Sequence, residues 1–323
     1  MVIQNAIVRD IRDAFKTAET IGIISHRNPD ADTIGSNLAL HEILERGKKK
    51  VFSLCVDQIP RELQFLRNSG NFRTSLDPET LDLIICVDAG SPNQTGYLEN
   101  REFLEQKGLN IINIDHHSSN NRYGTINLVI PEAASTSIII FYLLSLLGEE
   151  ITPSIATSLL CGLYYDTGSF MHSNTNDEVY LTAGKMMQQG ANIGEIIQNL
   201  FHSKSIGQLK LLGKILEGVK VTGNHVAVSG IKEEDFAKCE SQASDVSGAI
   251  DYLSMVKENQ FATLLVEDSK GNVKGSLRTR KNDINLSEMA TMFGGGGHKK
   301  ASGFTIKGRL KKEVIWSIQP NKN

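Results

Sequence analysis

The tripeptide Asp115-His116-His117 directly follows the apolar run Leu109–Ile114. A carboxylate and two imidazoles at the end of a buried strand are costly to desolvate unless a cation or a phosphate ester compensates them. Neighbouring side chains of an extended segment point in opposite directions, so the two histidines should differ in role. One can ligate a metal while the other contacts a substrate as a proton donor, and Asp115 can orient an imidazole.

A second cluster, His26-Arg27-Asn28-Pro29-Asp30-Ala31-Asp32, follows the apolar run Ile21–Ser25. Pro29 disfavours a helix across the cluster, which predicts a loop after a strand with Asp30 and Asp32 pointing the same way. Both carboxylates could instead cap the following helix. A histidine and two aspartates this close together favour a metal site over capping alone.

Two single aspartates occupy comparable positions. Asp88 follows the apolar run Leu83–Val87, and Asp166 ends the apolar segment Ile155–Tyr165. Either one alone is typical of a turn or a helix end. Together the candidate ligands combine carboxylates with imidazoles: His26, Asp30, Asp32, Asp88, His116 and Asp166. This donor set suits Mn²⁺, with Mg²⁺, Co²⁺ or Fe²⁺ as substitutes, and is large enough for two ions that share a carboxylate. Two such ions about 3.5–4 Å apart are the usual device for phosphoester hydrolysis.

A further signal lies near the C-terminus, where four consecutive glycines precede a histidine and two lysines: Gly294, Gly295, Gly296, Gly297, His298, Lys299 and Lys300. Successive glycine N–H groups can turn toward one anion. A flexible loop is the simpler interpretation, but the preceding helical pattern and the following cations favour anion binding. Arg278 and Arg280 fall on one face of a predicted strand, where they are either a solvated pair or a phosphate clamp.

The elements that must position these residues alternate strands and helices over the first two-thirds of the chain, which predicts an α/β fold around a parallel sheet. In such folds ligands bind at the carboxyl ends of the strands. The predicted strands are Ile21–Ser25, Val51–Val56, Leu81–Val87 and Ile111–Ile114, and the predicted helices are Ile34–Arg46 (with Thr33 as N-cap), Ile138–Leu147 and Ile155–Tyr165.

The rest of the chain predicts a smaller α+β domain. Periodic leucines over Ile206–Val219 predict a connecting helix. Strands are predicted at His225–Ile231, Phe261–Val266 and Gly275–Thr279, and helices at Ser247–Met255 and Leu286–Phe293. We therefore expect a catalytic domain over residues 1–200, a helical linker over 201–218 and a substrate-binding domain over 219–323.

The composition narrows the class of protein. A chain of 323 residues suggests two domains, and a formal net charge of −3 argues against a broad basic surface for long duplex nucleic acid. Any nucleic-acid substrate should be short. The scattered cysteines, Cys55, Cys86, Cys161 and Cys239, should be reduced and buried. No signal peptide or membrane span is evident, so we expect a cytosolic protein.

The ordered set of motifs resembles the DHH phosphoesterase superfamily, in the two-domain branch with a DHH-associated C-terminal domain. The set comprises His26-x-x-Pro29-Asp30-x-Asp32-x-x-Gly35-Ser36, Asp88, Asp115-His116-His117, Asp166-Thr167-Gly168 and Gly294–His298. The branch includes nano-RNases with pAp phosphatase activity and phosphodiesterases of cyclic-di-AMP or pApA. The resemblance covers nearly the whole chain, in order and at compatible spacing.

The resemblance implies two Mn²⁺ ions in the N-terminal parallel-sheet domain. His26 and Asp30 would hold one ion, Asp88 would bridge, and Asp32, His116 and Asp166 would hold the other. His117 would face the scissile phosphate, supported by Asp115. Arg278, Arg280 and the segment Gly294–His298 would bind the far end of the substrate, with the active site in the interdomain cleft. A homodimer is also expected on this basis.

The leading hypothesis is therefore hydrolysis of short oligoribonucleotides to 5′-monophosphates, with removal of the 3′-phosphate of pAp as a second activity. Degradation of cyclic-di-AMP or linear pApA differs from it in substrate and not in chemistry. A non-catalytic nucleotide sensor belongs to a different class. It predicts the loss of one or more metal ligands, and every ligand position of the pattern is intact in this sequence.

Overall fold

The computed structural model describes residues 1–75, 80–98, 108–201, 204–257 and 259–311. Contacts within the chain divide it into two compact units, Met1–Ser203 and Lys204–Asn323. None of the described helices is long and apolar enough to cross a membrane. The four cysteines are free thiols and all are buried, as expected.

The first unit is built on a five-stranded sheet with strand order β2-β1-β3-β4-β5, in which every pairing is parallel. The strands are β1 Thr20–Ile24, β2 Lys50–Leu54, β3 Leu83–Val87, β4 Asn110–Asp115 and β5 Ile126–Val129. All residues of β3 are buried, and alternate residues pack on opposite faces of the sheet. An unbroken apolar run is typical of a parallel strand covered on both faces. The α/β class is confirmed; β5 had not been predicted.

Helices flank this sheet and complete the first unit. They are Asn5–Thr17, Ala31–Arg46, Pro92–Thr95, Thr136–Leu147, Pro153–Asp166, Asp177–Gln188 and Ile193–Phe201, with short 3₁₀ turns at Arg61–Leu63 and Ser69–Asn71. The three predicted helices are present with slightly different ends. The helices Asn5–Thr17, Pro92–Thr95, Asp177–Gln188 and Ile193–Phe201 had not been predicted.

The helix Ala31–Arg46 begins earlier than the sequence suggested. Its N-cap is Asp30, whose carboxylate accepts hydrogen bonds from the backbone N–H groups of Asp32 and Thr33. The prediction of Thr33 as N-cap was wrong, because Asp30 already satisfies the first free donors of the helix. Asp30 is therefore a helix cap, which was the alternative considered to its role as a metal ligand.

Two glycines let the central helices approach each other closely. A Cβ at Gly35 would lie 2.2 Å from the carbonyl oxygen of Ser158. A Cβ at Gly162 would lie 2.1 Å from Ser137 Oγ and 2.7 Å from Asp32 Oδ1. The helices Ala31–Arg46 and Pro153–Asp166 therefore pack with almost no space between their backbones, directly beside Asp32.

The second unit has a six-stranded mixed sheet with strand order β10-β11-β9-β8-β7-β6. The strands are β6 Lys220–Val221, β7 Val226–Ile231, β8 Phe261–Glu267, β9 Asn272–Arg278, β10 Gly296–His298 and β11 Ala301–Lys307. Only the β7–β8 pairing is parallel among these described strands. The helices are Ile206–Glu217, Glu233–Cys239, Ala249–Ser254 and Leu286–Thr291, with a 3₁₀ turn at Ala243–Val246.

The helix Ile206–Glu217 was expected to form most of a separate linker over residues 201–218. In the structure it belongs to the second unit. Leu211 and Ile215 are fully buried in the core of that unit, together with Leu253 and Leu264. A helix that buries a continuous apolar stripe packs as part of a domain. Residues 202 and 203 lie outside the described part of the chain.

Candidate metal centre

The fold gathers the predicted acidic and histidine residues of the first unit at one edge of its sheet. His26 follows β1, Asp88 follows β3, and Asp115 ends β4. The carboxyl ends of parallel strands meet at the same edge, which is where open α/β sheets bind ligands. Asp30 and Asp32 arrive at the start of the helix Ala31–Arg46. Asp166 arrives as the last residue of the helix Pro153–Asp166.

Asp88 lies at the centre of this group. His26 Nε2 is 3.4 Å from Asp88 Oδ2, and His116 Nε2 is 3.4 Å from Asp88 Oδ1. Ligand atoms of His26, Asp30 and Asp88 lie within 4.8 Å of one another, as do those of Asp32, Asp88 and His116. Asp88 thus belongs to both of these sets, each able to hold a metal ion, and also to a third set with Asp115 and His117.

The two histidines of these sets are oriented in the same way. His26 Nδ1 lies 2.8 Å from the carbonyl oxygen of Arg27, and His116 Nδ1 lies 3.3 Å from the carbonyl oxygen of Ala133. If each Nδ1–H donates to its carbonyl, each Nε2 presents a lone pair to the carboxylates. A backbone acceptor on the far nitrogen is the usual means of fixing a metal-binding imidazole.

Asp166 adds a further carboxylate to the set formed by Asp32, Asp88 and His116. Its Oδ2 is 3.2 Å from His116 Nε2. The chain then turns sharply through Gly168, Ser169 and Phe170, all of which have positive φ. Asn174 Nδ2 donates to the carbonyl oxygen of Asp166 at 3.2 Å, which ties this turn back to the helix end. Left-handed backbone at non-glycine residues costs energy and often accompanies functional sites.

His117 is held differently from His116. Its Nδ1 lies 2.7 Å from Asp115 Oδ1, while Asn120 donates to Asp115 Oδ2 at 2.6 Å and the His116 N–H donates to Asp115 Oδ1 at 2.8 Å. Asp115 is fully buried, and these donors surround its carboxylate. Asp115 therefore contacts the ring of His117 and not that of His116, and the different roles expected for the two histidines stay a prediction.

Asp32 is the most deeply buried of the candidate ligands, with no exposed surface. Its Oδ2 accepts a hydrogen bond from the Thr136 N–H at 2.6 Å, and its Oδ1 accepts one from the Ser137 N–H at 2.9 Å. Both donors belong to the first turn of the helix Thr136–Leu147. The free N–H groups and positive end of this helix help to keep a buried carboxylate charged.

The protonation equilibria of the group are strongly displaced. Burial raises the pKa of Asp32 well above its usual value, and the negative charges of Asp88 and Asp166 add to the increase. Burial also raises the pKa of Asp88. Burial would lower the pKa of His26 and of His116, but the neighbouring carboxylates raise both well above the ordinary value. Without a metal ion, the crowded carboxylates are partly neutralised by protons on the histidines. A multivalent cation would neutralise their negative charge more effectively.

His117 and Asp115 behave as an ion pair. Burial opposes the charged form of Asp115, but the hydrogen bond from His117 outweighs it and lowers the pKa of Asp115 to about 2. Burial would likewise lower the pKa of His117, and the hydrogen bond to Asp115 raises it. The His117 ring therefore keeps a proton on Nδ1 toward Asp115.

Comparisons with known proteins identify the family to which the chain belongs. Residues 20–163 match the model of the DHH family, N-terminal domain, and residues 223–318 match the model of the DHHA1 domain. A bifunctional oligoribonuclease and PAP phosphatase NrnA from Thermus thermophilus is 31% identical over 93% of this chain and 89% of its own length. The chain belongs to the DHH phosphoesterase family.

Two further similarities support this placement in the DHH family. The bifunctional oligoribonuclease and PAP phosphatase NrnA of Bacillus subtilis is 29% identical over 89% of this chain and 90% of its own length. The crystal structure of an exopolyphosphatase-related protein from Bacteroides fragilis matches with a TM-score of 0.86 and 26% identity, covering 97% of this chain and 93% of that one. This DHH protein is thus a phosphoesterase of the two-domain branch, a hydrolase of nucleotide ester bonds.

In the DHHA1 region of this DHH protein, the glycine-rich segment differs from the expected loop. The N–H groups of Gly294 and Gly295 donate to the carbonyls of Thr291 and Ala290, where they end the helix Leu286–Thr291. Gly296–His298 then forms a strand that pairs with β11. The expectation that all four glycines turn their N–H groups toward one anion was wrong for Gly294 and Gly295, because the helix end uses those donors.

The two predicted arginines also occupy different environments. Arg278 ends β9, and its Nε lies 2.8 Å from Asp251 Oδ1. Arg280 follows the strand and is exposed. The two guanidiniums are therefore not an equivalent pair on one strand, since only Arg278 is in β9 and it pairs with a carboxylate.

Sequence reasoning missed three residues that form hydrogen bonds with the candidate site: Asn120, Thr136 and Ser137. Asn120 contacts Asp115, and the other two contact Asp32 from a different part of the chain. The only sequence signal for the latter pair is the run Ser135-Thr136-Ser137 ahead of an apolar helix, which is typical of an N-cap.

Proposed function

We propose that this protein is a Mn²⁺-dependent phosphoesterase that hydrolyses short oligoribonucleotides, such as pApA, to 5′-mononucleotides and also removes the 3′-phosphate of pAp. The observation that carries the proposal is that Asp88 belongs both to the set with His26 and Asp30 and to the set with Asp32 and His116. A carboxylate shared by two ions is the arrangement of binuclear phosphoesterases. The names of the Thermus thermophilus and Bacillus subtilis relatives supply the substrate class.

The donor residues fit two divalent ions. His26 and Asp30 would hold one ion, Asp88 would bridge, and Asp32, His116 and Asp166 would hold the other. Nitrogen and carboxylate donors without thiolates suit Mn²⁺, with Mg²⁺ or Co²⁺ as substitutes. The pair would supply positive charge toward the phosphate and acidify the attacking water.

We assign His117 to the substrate phosphate. Its Nδ1 proton is held by Asp115, so its Nε2 is the atom that can contact a phosphate oxygen or transfer a proton to the leaving group. Asn120 holds the other oxygen of Asp115 and fixes the pair. Asp115 and His117 therefore act together, with Asp115 as the orienting group.

The DHHA1 region would select short substrates. We propose that Arg280, His298 and the glycines Gly296 and Gly297 contribute to binding of a terminal phosphate, together with Gly294 and Gly295 through their lack of side chains. Arg278 would contribute if Asp251 released it. We also predict that the protein is a cytosolic homodimer that binds neither long duplex nucleic acid nor membranes.

The test is nucleotide release by the purified protein. It is incubated with Mn²⁺ and pApA, pAp or cyclic-di-AMP, and the products are separated by chromatography. AMP from pApA and from pAp is the expected result. Absence of AMP from all three substrates contradicts the proposed enzyme, and AMP from cyclic-di-AMP alone contradicts the proposed substrate class.

A matched pair of variants tests the site assignment. Asp88→Asn removes a charge from the shared carboxylate and should abolish turnover. Asp82→Asn makes the same change near the opposite end of β3, where Asp82 accepts backbone hydrogen bonds from Glu19 and Thr20 at 3.1 and 2.8 Å. Asp82→Asn should retain turnover. Undiminished activity of Asp88→Asn would show that the centre is placed wrongly.

A further inference from the structure

Asp88 has an unusual backbone conformation. Its φ is 59°, in the left-handed region that residues with a Cβ rarely adopt. The Asp88 N–H donates to the carbonyl oxygen of Ile114 at 2.9 Å, which continues the pairing of β3 with β4 by one residue. Such a conformation persists only where surrounding contacts hold it. The Asp88 side chain is 3% exposed, so its contacts are with protein groups.

Thr136 contacts this side chain and also a second candidate ligand. Thr136 Oγ1 donates to Asp88 Oδ1 at 3.0 Å. The backbone N–H of the same residue donates to Asp32 Oδ2 at 2.6 Å. Thr136 is fully buried, at the first position of the helix Thr136–Leu147. One residue thus joins two carboxylates that come from different elements of the fold.

Helix capping does not account for the Thr136 hydroxyl. Ser135 is the N-cap, and its side chain accepts the hydrogen bond from the Ile138 N–H at 3.2 Å. The Thr136 hydroxyl is directed at Asp88 instead. The Thr136 hydroxyl is a buried donor whose acceptor is a candidate metal ligand. Its role is therefore to orient that ligand, because the helix already has its N-cap in Ser135.

We propose that Thr136 is a positioning residue of the metal centre, which sets Asp32 and Asp88 relative to each other. The inference rests on the proposed binuclear site. Each of the Asp32 oxygens accepts one N–H from the helix start, so each keeps a lone pair for a cation. The Thr136 hydroxyl fixes Asp88 Oδ1 in the same way. Both carboxylates are therefore held in place before an ion binds.

Three variants test this role. Thr136→Val removes the hydroxyl at nearly constant volume and keeps the backbone N–H to Asp32. Thr136→Ser restores the hydroxyl. Thr182→Val makes the same change at another fully buried threonine, whose hydroxyl lies 3.1 Å from the Tyr142 hydroxyl in the same unit. All three can be melted without metal, which shows whether the fold is kept.

The readout is Mn²⁺ binding by titration calorimetry, with kcat and KM for pApA measured at saturating Mn²⁺. We expect Thr136→Val to weaken Mn²⁺ binding by roughly 10–100-fold, the usual effect of removing a group that orients a ligand. Thr136→Ser should recover most of the affinity, and Thr182→Val should bind as the unmodified protein does. At saturating Mn²⁺, KM should change less than kcat.

Four outcomes overturn the inference. If Thr136→Val binds Mn²⁺ as tightly as the unmodified protein, the positioning role fails while the proposed function stands. An equal loss in Thr182→Val would show a general effect of removing a buried hydroxyl. Failure of Thr136→Ser to recover affinity would show that the hydroxyl is not the relevant group. If the unmodified protein binds no Mn²⁺, the metal centre and the inference fail together.

Discussion

The substitution Gly162→Ala tests how tightly Asp32 is enclosed. A Cβ at this position would lie 2.1 Å from Ser137 Oγ and 2.7 Å from Asp32 Oδ1. Real Cβ atoms essentially never come closer than 3.0 Å to such neighbours, so Ser137 Oγ would have to move by nearly an ångström and Asp32 Oδ1 by a smaller amount. Both neighbours are fully buried, and both are tied to other groups by hydrogen bonds. The added methyl group should therefore displace the Asp32 carboxylate or separate the helices.

Gly184 provides the matched control. It lies inside the helix Asp177–Gln188, and a Cβ there would have no neighbour within 4 Å. Alanine in place of glycine inside a helix gains roughly 0.5–1 kcal/mol. Gly184→Ala should therefore raise the free energy of unfolding by about that amount. Gly162→Ala has the same gain but also overpacks the core, which typically costs about 1–3 kcal/mol. The difference between the two variants should therefore be about 1–3 kcal/mol.

Urea unfolding of the metal-free proteins measures this difference, and Mn²⁺ titration of the same samples measures the effect on the site. For a unit of this size the difference corresponds to a separation in Tm of about 2–4 °C per kcal/mol. We expect weaker Mn²⁺ binding in Gly162→Ala and unchanged binding in Gly184→Ala. If the two variants were equally stable and bound Mn²⁺ equally, the close packing beside Asp32 would be refuted.

Three further predictions concern the same unit. Carboxylates raise the pKa of His26 and of His116, and a metal ion needs the neutral imidazole. Mn²⁺ affinity should therefore fall as the pH drops below these raised pKa values, by up to tenfold per pH unit for each proton displaced. Calorimetry in buffers of different ionisation enthalpy would detect the displaced protons. Asn120→Ala leaves one oxygen of Asp115 without its donor, so kcat should fall roughly 10–100-fold. If the variant and the unmodified protein had equal kcat, Asn120 would have no role in the site. Burial raises the pKa of Cys86 to about 12, so iodoacetamide should label Cys86 only after denaturation, as followed by mass spectrometry; rapid labelling of the native protein would contradict its burial.

The ends of the strands could be predicted because residue type and local pattern coincide there. Asp88 and Asp115 each follow an unbroken apolar run, so their position at the carboxyl edge of a parallel sheet follows from sequence. The turn that carries His26 could be predicted because Pro29 excludes a helix through it. These features depend on residues a few positions apart.

The supporting contacts could not be predicted because they join distant parts of the chain. Thr136 and Ser137 reach Asp32 across more than a hundred residues, and no spacing rule relates them. The strand β5 was missed because its four residues, Ile126–Val129, include an asparagine and give too short a pattern. The glycines of Gly294–His298 were misjudged because a helix end and a strand pairing, both set by tertiary structure, take up their backbone donors.

The helix Ala31–Arg46 is enclosed by protein along almost its whole length, since every residue from Ala31 to Leu44 is buried. Its amides should therefore exchange with solvent deuterium only when the entire unit unfolds. Asp32, inside this helix, has no exposed surface, so an ion must reach it past the other candidate ligands. The His26 and Asp30 side chains are 17% and 30% exposed, whereas that of Asp88 is 3% exposed. Asp166, a candidate ligand of the other set, is 20% exposed, so ions should enter and leave past the exposed ligands of each set, and not past Asp32 or Asp88.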